Sequence, residues 1–199
     1  KKQHKNDNSR FKQFKEGEIL RGWRLILDGL RLNRNDPNLK GTPERILRSY
    51  YEIFSGLNHT HEFEEILNET FPSNYDGMVS ETDIKVYSMC PHHMLPIIYN
   101  VNVGYIAKHG GVGLSKLPRI IELLAQQPQL QETFTVKITQ VIQKSIDTLG
   151  VIVVVEGQHL CMQMRGIKKR ECKTITSSVT GIFKDKPEVR AEFLQIIKV

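Results

Sequence analysis

Ile84-Lys85-Val86-Tyr87-Ser88-Met89-Cys90-Pro91-His92-His93-Met94-Leu95-Pro96-Ile97-Ile98-Tyr99 sets the plan of the chain. Val79, Ile84, Val86 and Tyr87 predict a strand over 78–89, and a second strand follows over 97–106. The turn between them carries one cysteine and two histidines, residue types that bind zinc and move protons near neutral pH. A complement stands far along the chain, at Gln158-His159-Leu160-Cys161.

Downstream of the two strands Gly110-Gly111 breaks the chain, and Ser115 is placed to cap a helix through Gln127 with Leu117, Ile120, Ile121 and Leu124 inward. Pro128 ends it. Residues 129–149 form the clearest helical stripe, with Leu130, Phe134, Ile138, Val141, Ile142 and Ile146, closed by Gly150. The β-branched run Val151–Val155 fits a buried strand. After Gly157 the pattern alternates, which predicts a continuing strand with His159, Cys161 and Arg165 on one face and Leu160, Met162 and Met164 on the other. A Thr- and Ser-rich strand over 174–180 and a helix from Pro187 complete the chain.

Upstream, Ile19, Leu20, Trp23, Leu25, Ile26 and Leu30 predict an amphipathic helix over 16–32. Thr42 is placed to cap a second helix that opens on Pro43 and stops at Gly56. A short helix is predicted over 61–68. The class is α+β: a basic tail over 1–15, a helical region over 16–70, and a body over 71–199 that reads ββααββ.

Composition narrows the function. The net charge of +6 is concentrated in residues 1–15, which hold six Lys/Arg and one Asp, so the body is nearly neutral and nucleic-acid binding is not expected. No apolar run approaches the roughly 20 residues of a membrane span, and no signal-peptide pattern opens the chain, so a cytoplasmic protein is expected. Three cysteines, an odd number, argue against a disulfide scaffold. They leave metal ligand, nucleophile or core as roles.

A catalytic zinc site needs three protein ligands and an open fourth position. Cys90 and His93 can share one ion from a turn, and Cys161 is the natural third ligand, with Cys172 as a candidate fourth. His92 and His159 are then left as general acid/base candidates suited to hydrolysis of a C–N bond.

Cys90-Pro91-His92-His93, Gly113-Leu114-Ser115-Lys116-Leu117, Gln129-Leu130-Gln131-Glu132, His159-Leu160-Cys161 and Arg165-Gly166 together resemble the GTP cyclohydrolase I family. The resemblance runs in order from Thr42-Pro43-Glu44-Arg45 to Arg190-Ala191-Glu192-Phe193-Leu194. It implies the tunnelling fold, in which ββααββ units assemble into a barrel, and a homodecamer of two pentamers with sites between subunits. It further implies hydrolysis of GTP to 7,8-dihydroneopterin triphosphate and formate, the first step of pterin and folate-type biosynthesis. Cys90, His93 and Cys161 would hold Zn2+, whose water attacks C8 of guanine. His92 would serve N7, His159 the proton transfers of ring opening, and Ser115 the ribose. Glu132 with Gln131 would take the guanine N–H edge. Lys116, Arg119, Arg165 and, from a neighbouring subunit, Arg45 would surround the triphosphate.

The sequence departs from the family pattern at Pro91, where many members carry Glu, and around Gln126-Gln127-Pro128 and Thr133, where arginines are frequent. Two other readings use the same residues. One is a tunnelling-fold enzyme acting on another purine or pterin through a free thiol. The other is a zinc-stabilised nucleotide-binding assembly without turnover.

Overall fold

The computed structural model of the chain describes residues 14–58, 66, 70–72 and 74–198. The tail expected over 1–15 lies outside them except for Phe14 and Lys15, as does the short helix over 61–68 except for Ile66. The elements in chain order are α1 (Glu16–Gly29), α2 (Thr42–Ile53), a 3-10 turn (Ser55–Leu57), β1 (Thr70–Phe71), β2 (Val79–Met89), β3 (Pro96–Ala107) and β4 (Gly111–Val112). They continue with α3 (Lys116–Ala125), α4 (Gln131–Ser145), β5 (Thr148–His159), α5 (Leu160–Gln163), β6 (Thr174–Val179), α6 (Ile182–Asp185) and α7 (Pro187–Ile197).

The β-branched run in β5 explains the layering. A strand covered on both faces reads as continuous rather than alternating hydrophobics. Val151, Val153 and Val155 pack with Tyr99, Val101 and Val103 of β3 against Leu117, Ile120 and Leu124 of α3 and Phe134, Ile138 and Ile142 of α4. Ile152 and Val154 face the other way, onto Phe183 of α6 and Phe193 of α7. The sheet is antiparallel in the order β2-β3-β5-β6, and the short β1 and β4 pair separately. This is the expected α+β unit, two strands, two helices and two strands. No helix among the described residues is long and apolar enough to cross a membrane.

Local departures from the sequence expectations have physical causes. The helix expected over 129–149 stops at Ser145, because Thr148 already pairs with Ala107 and Gly150 with Ile106, so backbone bonds to β3 replace another helical turn. The strand expected beyond Gly157 stops at His159. Ile97 is the last β3 partner of β5 and Thr174 the first residue of β6, so Leu160 onward has no neighbouring strand and coils into α5. Thr42 and Ser115 make no side-chain caps: Gly41, at φ 76°, takes the capping position of α2, and Ser115 has helical angles. On α1 the buried residue is Leu27, while Leu25 and Leu30 are 60% and 65% exposed.

Glu81 sits at the bulge where β2 changes register between Glu81 and Ile84. One of its carboxylate oxygens is buried without a hydrogen-bond partner, and burial pushes its pKa from 4.5 up to about 7. The folded state therefore holds this proton more tightly than the unfolded chain, and stability is lost as pH rises through that window. Glu81→Gln is expected to exceed the wild type by about 1–2 kcal/mol at pH 8, a figure discounted for partial exposure, and to match it near pH 4.5. Denaturant unfolding at the two pH values measures this. An equal effect at both would show that the carboxylate is not the cause.

Candidate metal centre and its cavity

β3 runs antiparallel to both β2 and β5, so the ends of those strands flank its beginning. Met89 pairs with Pro96 and His159 with Ile97. Cys90 therefore leaves the sheet on one side of β3 and Cys161 on the other, two strand spacings of about 4.8 Å apart, a gap that their side chains close. The turn between β2 and β3 is fixed by Cys90 N–H donating to Leu95 O at 2.9 Å and Met94 N–H to Cys90 O at 2.8 Å.

The donor atoms of Cys90, His93 and Cys161 all lie within 4.8 Å of one another. Two ligands of a tetrahedral zinc, with Zn–S about 2.3 Å and Zn–N about 2.0 Å, stand about 3.6 Å apart, and Cys90 Sγ is 3.8 Å from His93 Nδ1. Two soft sulfurs and an imidazole suit zinc rather than magnesium or calcium. The residues thus fit the metal that the sequence implies. Cys172 is exposed and outside this donor group, so the candidate fourth cysteine is not brought to the other three.

Burial and the adjacent Cys90 thiol push the Cys161 thiol up, with Arg165 acting in the opposite direction. Arg165 Nη1 lies 2.8 Å from His93 Nε2 and can only donate. The ring proton is then on Nδ1. One imidazole cannot both accept Arg165 at Nε2 and offer Nδ1 to a metal, so the two contacts compete. Arg165 was expected on the Cys161 face of a strand. It instead follows α5, in a bend past the C-cap Met164, and meets the site through His93.

Around the donors is a cavity of about 300 Å³ whose lining includes Pro91, His92, Glu132, His159 and Thr174. Beneath the lining residue His159 is the buried Tyr99, edge-on to its ring at 6.3 Å between centroids, stacked on Phe134 at 4.8 Å and with its hydroxyl unpartnered. His92 Nδ1 is 4.0 Å from Cys90 Sγ. Burial lowers the His159 pKa, against the opposing charge of Glu132. Gln131, expected to share the base edge with Glu132, is only 2% exposed, and its amide is engaged inside the protein, with His159 Nε2 at 2.8 Å from its oxygen. Sequence reasoning missed that partnership, and it also missed Tyr99.

The other expected residues do not gather here. Tyr105, near the end of β3, bonds the Val112 backbone just before α3. Ser115, Lys116 and Arg119 thus start at the far end of a strand of 12 residues, roughly 36 Å long. The Arg45 guanidinium is tied to its own loop, donating to Lys40 O at 2.9 Å, Asn38 O at 3.1 Å and Thr42 Oγ1 at 2.8 Å.

Comparison with known proteins follows the same lines. The protein-family profile described as GTP cyclohydrolase I matches residues 19–198. GTP cyclohydrolase 1 of Pelotomaculum thermopropionicum is 44% identical over 186 residues, which are 93% of this chain and 98% of that one. The protein of the same name from Bacillus subtilis is 42% identical over 188 residues, covering 94% and 98%. Among solved structures, the apo form of archaeosine synthase QueF-like is similar with a TM-score of 0.45 and 14% identity, over 55% of this chain and 97% of that one.

Proposed function

The chain belongs to the GTP cyclohydrolase I family, hydrolases that act on cyclic amidines, and we propose that it converts GTP and water to 7,8-dihydroneopterin triphosphate and formate at a zinc site of Cys90, His93 and Cys161. The observation that carries this reading is the convergence of those three donors, within 4.8 Å, on a cavity that also holds His92, His159 and Glu132. Zinc bound there would supply Lewis-acid activation of the water that attacks C8 of guanine.

The remaining chemistry falls to side chains. Glu132 presents a carboxylate at the cavity wall that can accept two N–H donors of the guanine edge at once. His92 donates to N7, which makes C8 electrophilic, and His159 carries protons as the ring opens and formate leaves. Arg165 offers the triphosphate a forked set of donors. Ser115 meets the ribose, and Lys116 and Arg119 add positive charge to the phosphates. Since these three start at the far end of β3, a site that uses them takes them from a neighbouring subunit, as it does Arg45.

The reading includes a cytoplasmic homodecamer of two pentamers in which those residues are shared. Among the described residues β2 and β6 are the edges of the sheet, with backbone groups available for pairing with another copy, and the apolar Leu25 of α1 and Leu30 just after it are exposed. In this reading residues 16–70 form a helical region and 71–199 the catalytic domain.

Zinc-loaded protein incubated with GTP is expected to release formate and a pterin in equal amounts, followed by ultraviolet absorption and by fluorescence of the oxidised product. Full zinc content without formate release would overturn the reading. Activity that appears only in Pro91→Glu would identify Pro91 as a disabling residue.

A further inference from the structure

Gln131 lies between His159 and the end of β6, and its surroundings decide where its hydrogens are. Its Nε2 is 3.0 Å from Val155 O, 2.9 Å from Thr174 O and 3.1 Å from Thr176 Oγ1. Two of these are carbonyl oxygens, which can only accept. A flipped amide would press its own oxygen against both, so the –NH2 must face them and the oxygen must face His159.

The hydroxyls beyond it settle the remaining hydrogens. Thr135 Oγ1 donates to Gln131 O at 2.8 Å. The contact of 2.6 Å between Thr135 and Thr176 is therefore donated by Thr176, and its oxygen shares a hydrogen of the Gln131 amide with the neighbouring carbonyls. Every hydrogen in the chain of contacts then has one direction. At its end, Gln131 Oε1 can only accept, so His159 Nε2, at 2.8 Å, must carry a proton.

We infer that Gln131 is a positioning residue that fixes His159 in the tautomer protonated on Nε2, so that Nδ1 alone takes up and returns the proton during ring opening. The proton accepted at Nδ1 gives the imidazolium with Nε2–H still bonded to Gln131, and the same proton leaves from Nδ1. The functional half of this inference rests on the proposed role of His159; the tautomer does not. Gly157 is part of the device. A Cβ built on it would stand 2.2 Å from Gln131 Oε1, so only glycine lets the amide reach across β5.

Magic-angle-spinning NMR of the zinc-loaded, 15N-histidine-labelled protein, with His159 assigned by difference from His159→Asn, reads the tautomer without turnover. The neutral ring is expected to show a protonated Nε2 and an unprotonated Nδ1. Gln131→Met and Gly157→Ala are each expected to give a mixture of tautomers and to lower kcat by about 10-fold or more, with zinc content unchanged and KM for GTP within about 3-fold. A wild-type ring protonated on Nδ1 overturns the inference whatever the variants do. So does a Gln131→Met protein that folds and loses affinity for GTP at unchanged kcat, since that would make Gln131 a substrate contact. If GTP is not turned over at all, the tautomer measurement still stands and the failure belongs to the function proposed for the site.

Discussion

Cys161→Ser protein is expected to fold, to carry less than about a tenth of a zinc ion per chain, and to lose about 10³-fold or more of its turnover. A serine hydroxyl occupies much the same space as the thiol, but it does not ionise near neutral pH and is a poor ligand for a borderline-soft ion. The remaining Cys90 and His93 are only two donors. Folding is expected to survive because Cys161 is on α5, after the last β5 residue paired to β3, and touches the core only from its margin. Loss of its sulfur from that margin costs on the order of 1 kcal/mol. Cys90→Ser is expected to lose zinc in the same way and to fold less well, since Cys90 is 4% exposed and part of the core cluster. Cys172→Ser supplies the control: an exposed residue outside the donor group, it should change neither zinc content nor rate. Metal analysis of the purified proteins and formate release together measure the effect. A Cys161→Ser protein that retains one zinc per chain would remove Cys161 from the ligand set.

How much of this could be read from sequence depends on the distance over which each feature is determined. Cys90 and His93 are three residues apart in a turn flanked by two strands, and that local pattern was enough to pair them. Val151–Val155 was legible because a strand buried on both faces leaves an unbroken β-branched run. The geometry around Cys161 was not, because alternation in 158–165 describes a strand just as well as the helical turn that follows His159. Only the ends of β3 and β6, where partners for the backbone run out, distinguish them. Arg165 nevertheless stands beside the candidate ligands, reaching His93 from the bend that follows α5.

The contacts of Gln131 lay further from reach. They join residues 131, 135, 155, 159, 174 and 176 from three elements and need the absence of a side chain at 157. No spacing rule links those positions. A glutamine in the first turn of a helix, next to an exposed Glu132, reads as a surface residue, and only the packed sheet turns it inward. The apolar residues of α1 show the reverse case. Their stripe was legible, but among the described residues nothing buries Leu25 and Leu30.

His92→Asn is expected to separate the two neighbouring histidines. Its zinc content should equal that of the wild type, its KM for GTP should stay within about 3-fold, and its kcat should fall by about 10²- to 10⁴-fold, the usual range for loss of a proton-transferring group. The substitution keeps an N–H donor of similar reach and removes only the capacity to carry a proton, so a role in orientation alone would leave most of the rate. His93→Asn, one residue on, is expected to lose zinc along with activity, because His93 supplies a donor atom within 4.8 Å of both thiols and His92 is outside that group. The turn explains how adjacent residues part company: their rings meet at 75° with centroids 6.3 Å apart, His93 inside the donor group and against Arg165, His92 at the cavity wall with Nδ1 4.0 Å from Cys90 Sγ. Loss of zinc from His92→Asn would mean that the ligand assignment has the two histidines reversed. Near-normal kcat with zinc in place would take His92 out of the chemistry and leave His159 as the site's proton carrier.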